Sequence, residues 1–261
     1  ALPNRSDILT LLLNDVRLRS KVDTCILIIN DSLADVVATR DSVYTLLRWS
    51  GIIDEYLVIW SHKLTFSLSP QSFFQTNTHG AELLYTTAIT MSKLALWDRT
   101  HGTILDLYCW TGTIWLSFIA SWIGDRLIGI EETPSAIQDA QNNVIRNNIW
   151  TDTLFIAWKV EQLLNISQDT ISVWWDDFIP LWSLRLIIVD PPRSGLHKDV
   201  LTLLGEIKLS HPHVIICYIS CNPVTLARDC KILTEHYTMG VIQPIDMFPH
   251  THHIESIVIL S

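Results

Sequence analysis

The chain has 261 residues, room for one substantial domain and a small appendage, and 48% of them are hydrophobic. Although the mean hydropathy is +0.26, no uncharged apolar run reaches the ~18 residues of a membrane-spanning helix, so the reading is a soluble protein with no membrane partner. Five cysteines without a C-x-x-C exclude a zinc ribbon and a disulfide scaffold, and a net charge of −9 argues against a surface that is basic throughout.

Residues 1–65 predict an accessory subdomain, with strand-like runs at 25–30 and 56–60, a helix over 41–49, and turns at Asp31-Ser32 and Ser50-Gly51. Arg5, Asp7, Asp15 and Arg17 interrupt the opening stretch, which therefore does not read as a signal peptide. Together with the unpaired cysteines this predicts a reducing, intracellular location, cytoplasmic or nuclear, with an organelle left open.

Residues 66–261 predict the main domain. A helix over 81–96 precedes a strand at 103–108, a helix over 113–122, a strand at 126–131 and a helix over 134–147. Pro134 suits the first turn of that last helix, with Thr133 as its cap. Strands follow at 153–157, 184–190 and 214–220, then a helix over 223–236 and two closing strand runs. The strand blocks are short and rich in Ile, Leu and Val, as in a parallel sheet buried on both faces. Strands alternating with helices imply a doubly wound α/β sheet, whose ligands sit beyond the carboxyl ends of its strands. Tyr108, Glu131, Asp190 and Cys221 all fall at or just after such ends.

Five segments carry chemistry. Phe73-Phe74-Gln75-Thr76-Asn77 precedes the first helix of this domain. Asp106-Leu107-Tyr108-Cys109-Trp110-Thr111-Gly112-Thr113 turns from strand to helix, and Glu131 ends the next strand. Asp190-Pro191-Pro192-Arg193 follows an all-apolar strand, where two prolines stiffen the loop and remove two backbone donors. Ser220-Cys221-Asn222-Pro223 opens a helix, whose amino end favours a thiolate. Asp246 to Glu255 then reads D-M-F-P-H-T-H-H-I-E. A thiol with carboxylates suits covalent chemistry on an electron-poor ring, the thiolate adding and a carboxylate moving a proton. His250, His252 and His253 match no common zinc spacing, and no metal is expected. Cys25, Cys109, Cys217 and Cys230 read as inert buried thiols.

These segments resemble the RNA 5-methyluridine methyltransferases, S-adenosylmethionine (AdoMet) enzymes, over about residues 66–260. The resemblance implies a class I AdoMet-dependent methyltransferase fold with a doubly wound mixed sheet. Cys221 is then the nucleophile and Glu255 the general base, with Asp190 at the uracil edge and bordering the cofactor. Gln75, Tyr108, Thr113, Glu131 and Asp190 are the expected cofactor contacts, Glu131 holding the ribose hydroxyls; Phe73, Arg193 and Asn222 are the expected substrate contacts. The Gly112-Thr113-Ile114 segment and the P-H-T-H-H-I-E ending look more like the eukaryotic tRNA enzymes, which points to the T-loop uridine of tRNA. Trp110, Trp115 and Trp158 stand where this family has glycine. With the net charge, Trp110 and Trp115 leave a second reading open: a non-catalytic RNA-binding or RNA-folding protein that has lost AdoMet.

Overall fold

A computed structural model describes residues 14, 25–29, 43–48, 52–69, 72–163, 165–167, 170–172 and 178–261. The turns predicted at residues 31–32 and 50–51 lie outside the described residues. Strand β1 (Cys25–Ile29) pairs antiparallel with β2 (Val43–Arg48), so the helix expected over 41–49 is a strand. The V-Y-T-L-L-R run is short enough to satisfy either period, and its β-branched and aromatic residues settle on the pleated one.

β3 (Ile53–Ile59) and β4 (His62–Leu68) form a second hairpin. β4 alternates buried and part-buried positions, and Leu64, Phe66 and Leu68 join Leu57 and Ile59 of β3 in the main core. Helix α3 (Pro134–Arg146) holds this hairpin in place. Asp139 and Asn143 within it and Asn147 at its C-cap project at four-residue spacing. Their side-chain oxygens accept from the backbone N–H of Ser69, Ser67 and Thr65, each at 2.8 Å. The division drawn at residue 65 falls inside β4.

Helix α1 (Thr78–Leu96) leads into β5 (Thr103–Leu107), α2 (Thr113–Ala120) and β6 (Arg126–Glu131). After α3 come β7 (Asp152–Ala157), the single turn α4 (Val160–Leu163), and three short strands, β8 (Asn165–Ser167), β9 (Thr170–Ser172) and β10 (Phe178–Pro180). β11 (Leu184–Val189), α5 (Lys198–Ser210), β12 (Ile215–Ser220), α6 (Pro223–Leu233), β13 (Met239–Ile245) and β14 (Glu255–Leu260) complete the chain. The crossover helix α5, which the sequence reading passed over, is what joins the parallel pair β11 and β12.

Seven strands make one sheet in the order β13-β14-β12-β11-β5-β6-β7, all running the same way except β14, which is antiparallel to both its neighbours, β12 and β13. This is the class I methyltransferase arrangement. Residues of α1, α2 and α3 pack in the core on one face, and those of α4, α5 and α6 in the core on the other. The five-residue β5 is buried throughout, as expected of a central parallel strand. The strand order reverses at β5, and the carboxyl ends of β5, β6, β11 and β12 open toward a common edge. Because β14 runs against β12, with Ser256 opposite Ser220, its first residue, Glu255, lies beside the end of β12.

Candidate active site

Cys221 follows β12 directly and is half-buried. Asn222 caps α6 by accepting from the Val224 N–H at 3.1 Å, and Pro223 takes the first helical position. The same Asn222 side chain donates through Nδ2 to the Arg193 carbonyl at 2.9 Å, and the Thr225 hydroxyl donates to that carbonyl at 3.3 Å. Farther along α6, Arg228 donates to the Ser194 and Leu196 carbonyls, while the fully buried Asp229 accepts from the Leu196 N–H at 2.8 Å and the Tyr218 hydroxyl at 2.7 Å. The D-P-P-R loop is thus tied to the helix that follows the thiol. Asn222 spends both ends of its amide on this junction.

Arg193 donates to His253 Nδ1 at 2.5 Å, which joins the closing loop to the other two segments. Asn77, the cap of α1, donates to the Met247 carbonyl at 2.9 Å and so draws the residue 73–77 segment to the same place. Among the described residues no three His, Cys, Asp or Glu side chains are grouped to hold a metal ion. No helix among them is long and apolar enough to cross a membrane.

The charges interact. Burial pushes the Glu255 carboxyl up to about 7, against the pull of the Arg193 guanidinium. Burial, with a further contribution from Glu255, raises Asp190 well above the ordinary carboxylate range. The Cys221 thiol is raised as well, by burial and then by Glu255 and Asp190, with Arg193 opposing. The helix amino end favours a thiolate, but burial first, and then the two carboxyls, raise the thiol.

The other half of the site lies beyond β5 and β6. Glu131 is buried, and its Oε1 accepts from the Thr133 N–H at 2.8 Å. Burial raises its carboxyl, while the backbone N–H groups of Thr133 and Trp110 favour its charged form. Thr133 caps α3 by position, but its side chain makes no capping hydrogen bond. Thr113 is buried, with its hydroxyl 3.3 Å from that of Tyr85. Tyr108 packs against the α4–α6 side, and burial pushes its hydroxyl up to about 12. Gln75 is buried, and its Oε1 has no hydrogen-bond partner among the described residues. Phe74 packs on Phe66 at 5.6 Å, whereas Phe73 is 46% exposed at the mouth. The Trp110 indole lies 5.2 Å from the Phe73 ring and donates from Nε1 to the Asp190 carbonyl at 3.2 Å.

Asp106 was quoted in a motif but given no role. It is fully buried in β5, neither carboxyl oxygen has a partner among the described residues, and burial with the nearby Asp190 and Glu131 raises it well above the ordinary range. A lone acid inside the T-I-L-D-L run was the signal for it. The polar oxygens left open here, Gln75 Oε1 and the carboxyl of Asp106, fit a ligand that brings N–H and O–H donors.

Several known proteins share this architecture. An RNA methyltransferase of Bacteroides thetaiotaomicron, itself uncharacterised, is 39% identical over 199 residues, which are 76% of this chain and 39% of that protein. An uncharacterised RNA methyltransferase of Listeria innocua is 35% identical over 261 residues, 100% of this chain and 51% of the relative. The chain thus spans about half the length of the curated relatives it matches. The crystal structure of Pyrococcus abyssi tRNA (uracil-54, C5)-methyltransferase in complex with S-adenosyl-L-homocysteine superposes with a TM-score of 0.64. It is 29% identical, over 92% of this chain and 51% of that one. Residues 31–261 match the tRNA (uracil-5-)-methyltransferase family, and with these relatives the chain belongs to that family.

Proposed function

We propose that this chain methylates C5 of a uridine in RNA, the T-loop uridine of tRNA, with AdoMet as methyl donor and through a covalent Cys221 adduct. The observation that carries the reading is the meeting of Cys221, Glu255 and the pair Asp190 and Arg193, drawn from three different segments, within reach of one another's charge. The Pyrococcus protein's name supports the substrate, and its bound S-adenosyl-L-homocysteine supports the cofactor.

Gln75, through its open acceptor, and Glu131 would hold the cofactor, with Tyr108, Thr113 and Asp190 bordering it. Bound there, AdoMet supplies an electrophilic methyl group. Cys221 gives up its proton to solvent water and adds through sulfur to uracil C6, and the C5–C6 π pair moves onto the C4 carbonyl as an enolate. Burial and the two carboxyls hold the Cys221 thiol up, Arg193 opposes them, and Glu255 stays a carboxylate for the later step. C5 then takes the methyl group, and the donor's sulfur leaves as the neutral thioether. The Glu255 carboxylate removes the C5 proton, and the released pair expels the Cys221 thiolate and restores the double bond. A group poised near neutrality suits that proton transfer. A protonated Asp190 has both a donor and an acceptor, which complements the N3–H and O4 edge of uracil. Phe73, exposed at the mouth, provides a face on which the unstacked base can rest. Asn222, engaged at both ends, positions the Arg193 loop.

Methyl-labelled AdoMet and unmodified tRNA test the reading: label should appear in 5-methyluridine and vanish in Cys221→Ala. The Trp110 indole between Phe73 and Asp190 favours the second reading, a scaffold without cofactor. Absence of both label and S-adenosylhomocysteine binding, also with Trp110→Gly, would decide for it.

A further inference from the structure

Tryptophan stands in this chain where the backbone requires glycine. Eight tryptophans and eight glycines are among the described residues, and four of each have positive φ. Trp60, Trp97, Trp110 and Trp122 have φ of 53°, 58°, 48° and 63°, a region in which a bulky residue is an outlier. Only Tyr108, Asn148 and His250 join them among the other non-glycine residues described.

Each of the four occupies a position with its own requirement for glycine. Trp60 is the first of the two residues linking Ile59 to His62, and Ser61 after it does not have positive φ, which makes a type II′ hairpin turn. Trp110 is in the same place in the turn closed by the Gly112 N–H on the Cys109 carbonyl at 2.8 Å. Trp97 ends α1 with φ 58° and ψ −113°, near the first corner of that turn type at about +60° and −120°. Trp122 follows α2 in a Schellman motif, with its N–H on the Ile119 carbonyl at 2.9 Å and that of Ile123 on the Phe118 carbonyl at 3.3 Å.

The Trp60 ring lies under the Lys93 ammonium at 4.6 Å and Trp110 packs on Phe73, but the other two side chains offer no compensating contact. Trp97 and Trp122 are 84% and 82% exposed. Trp115 is buried, yet its Nε1 has no partner among the described residues, unlike a core indole selected for its place. Composition agrees: the chain has eleven tryptophans and nine glycines, and all twenty together approach the ~7% share that glycine alone usually takes.

We infer that residues 60, 97, 110 and 122 are glycine in the protein its organism makes, inserted at UGA codons. UGA differs from the glycine codon GGA only in its first base, and some genetic codes assign it to tryptophan and others to glycine. Glycine at residue 110 removes the indole from between Phe73 and Asp190 and lets the turn's backbone approach a ligand. That consequence alone rests on the proposed function.

Two readouts do not depend on it. The gene should carry UGA at all four positions, and peptides of the protein purified from its own organism should show the mass of glycine there. A UGG codon, or a tryptophan mass, at any of the four overturns the inference. The recombinant Trp60→Gly, Trp97→Gly, Trp110→Gly, Trp122→Gly protein should melt higher than the tryptophan form; a lower Tm also overturns it. Trp110→Gly should tighten S-adenosylhomocysteine binding at least tenfold. If codons and masses give glycine while that ligand still fails to bind, the proposed function fails and the glycine assignment stands.

Discussion

Glu255→Gln should stabilise the protein increasingly as the pH rises above about 4.5, with the full effect above about pH 7. The folded environment lifts this carboxyl from 4.5 to about 7, chiefly because it is buried. A carboxyl raised in the folded state contributes its full stability below the unfolded value and loses it as the pH climbs through the folded one. From about pH 4.5 to about 7, each unit costs about 1.4 kcal/mol, so ~3 kcal/mol is lost by about pH 8. Glutamine keeps the shape, stays neutral and avoids that loss. For a chain of this size ~3 kcal/mol corresponds to a Tm gain of roughly 6–12 °C at about pH 8, and almost none at about pH 4.5. Thermal unfolding of both proteins across this window measures it. An equal gain at both ends, or a Tm that falls at high pH, would show that Glu255 is ionised without penalty and refute its place in a desolvated site.

Other outcomes follow from the same geometry. Asn222→Ala should lose about 1–2 kcal/mol in urea unfolding through the missing cap, while Asn222→Asp restores the cap but not the donor to Arg193 and so recovers stability without the methylation rate. Equal rates in the Asp variant and the parent would remove Asn222 as a positioning residue. With Trp110→Gly in place, Glu131→Ala should weaken S-adenosylhomocysteine binding at least about tenfold, since a charge-assisted hydrogen bond contributes about 1.5–3 kcal/mol. Calorimetry showing unchanged affinity would take Glu131 out of the cofactor site. Asp106→Asn should leave Tm unchanged or raised at about pH 7, because burial, with Asp190 and Glu131 nearby, disfavours the charged form of the carboxyl it replaces; a large loss there would refute that reading of its surroundings.

Where the pattern was long and periodic, sequence and structure agree closely: β6 spans the residues expected, and α1 and α3 differ from expectation only at their ends. Short apolar runs were ambiguous, so residues 43–48 read as helix until pairing with β1 fixed them as a strand. β4 carried a clear alternation in H-K-L-T-F-S-L, but its role depends on side chains of α3 some seventy to eighty residues away. The site segments were legible because each follows a strand end. Their electrostatics were not. The helix amino end beside Cys221 is local, whereas Asp190 and Glu255, which oppose its effect, come from other elements. The same holds for Asn222, whose cap is visible in S-C-N-P but whose bond to the Arg193 carbonyl is not.

The central claim is that Cys221 bonds to the uracil before Glu255 acts. Glu255→Gln, incubated with AdoMet and unmodified tRNA, should accumulate a methylated protein–RNA complex that survives denaturation. Nuclease and protease digestion should then leave a nucleotide mass on the peptide containing Cys221, and Cys221→Ala should leave none. An adduct at another residue, or 5-methyluridine formed by Cys221→Ala, would contradict the account.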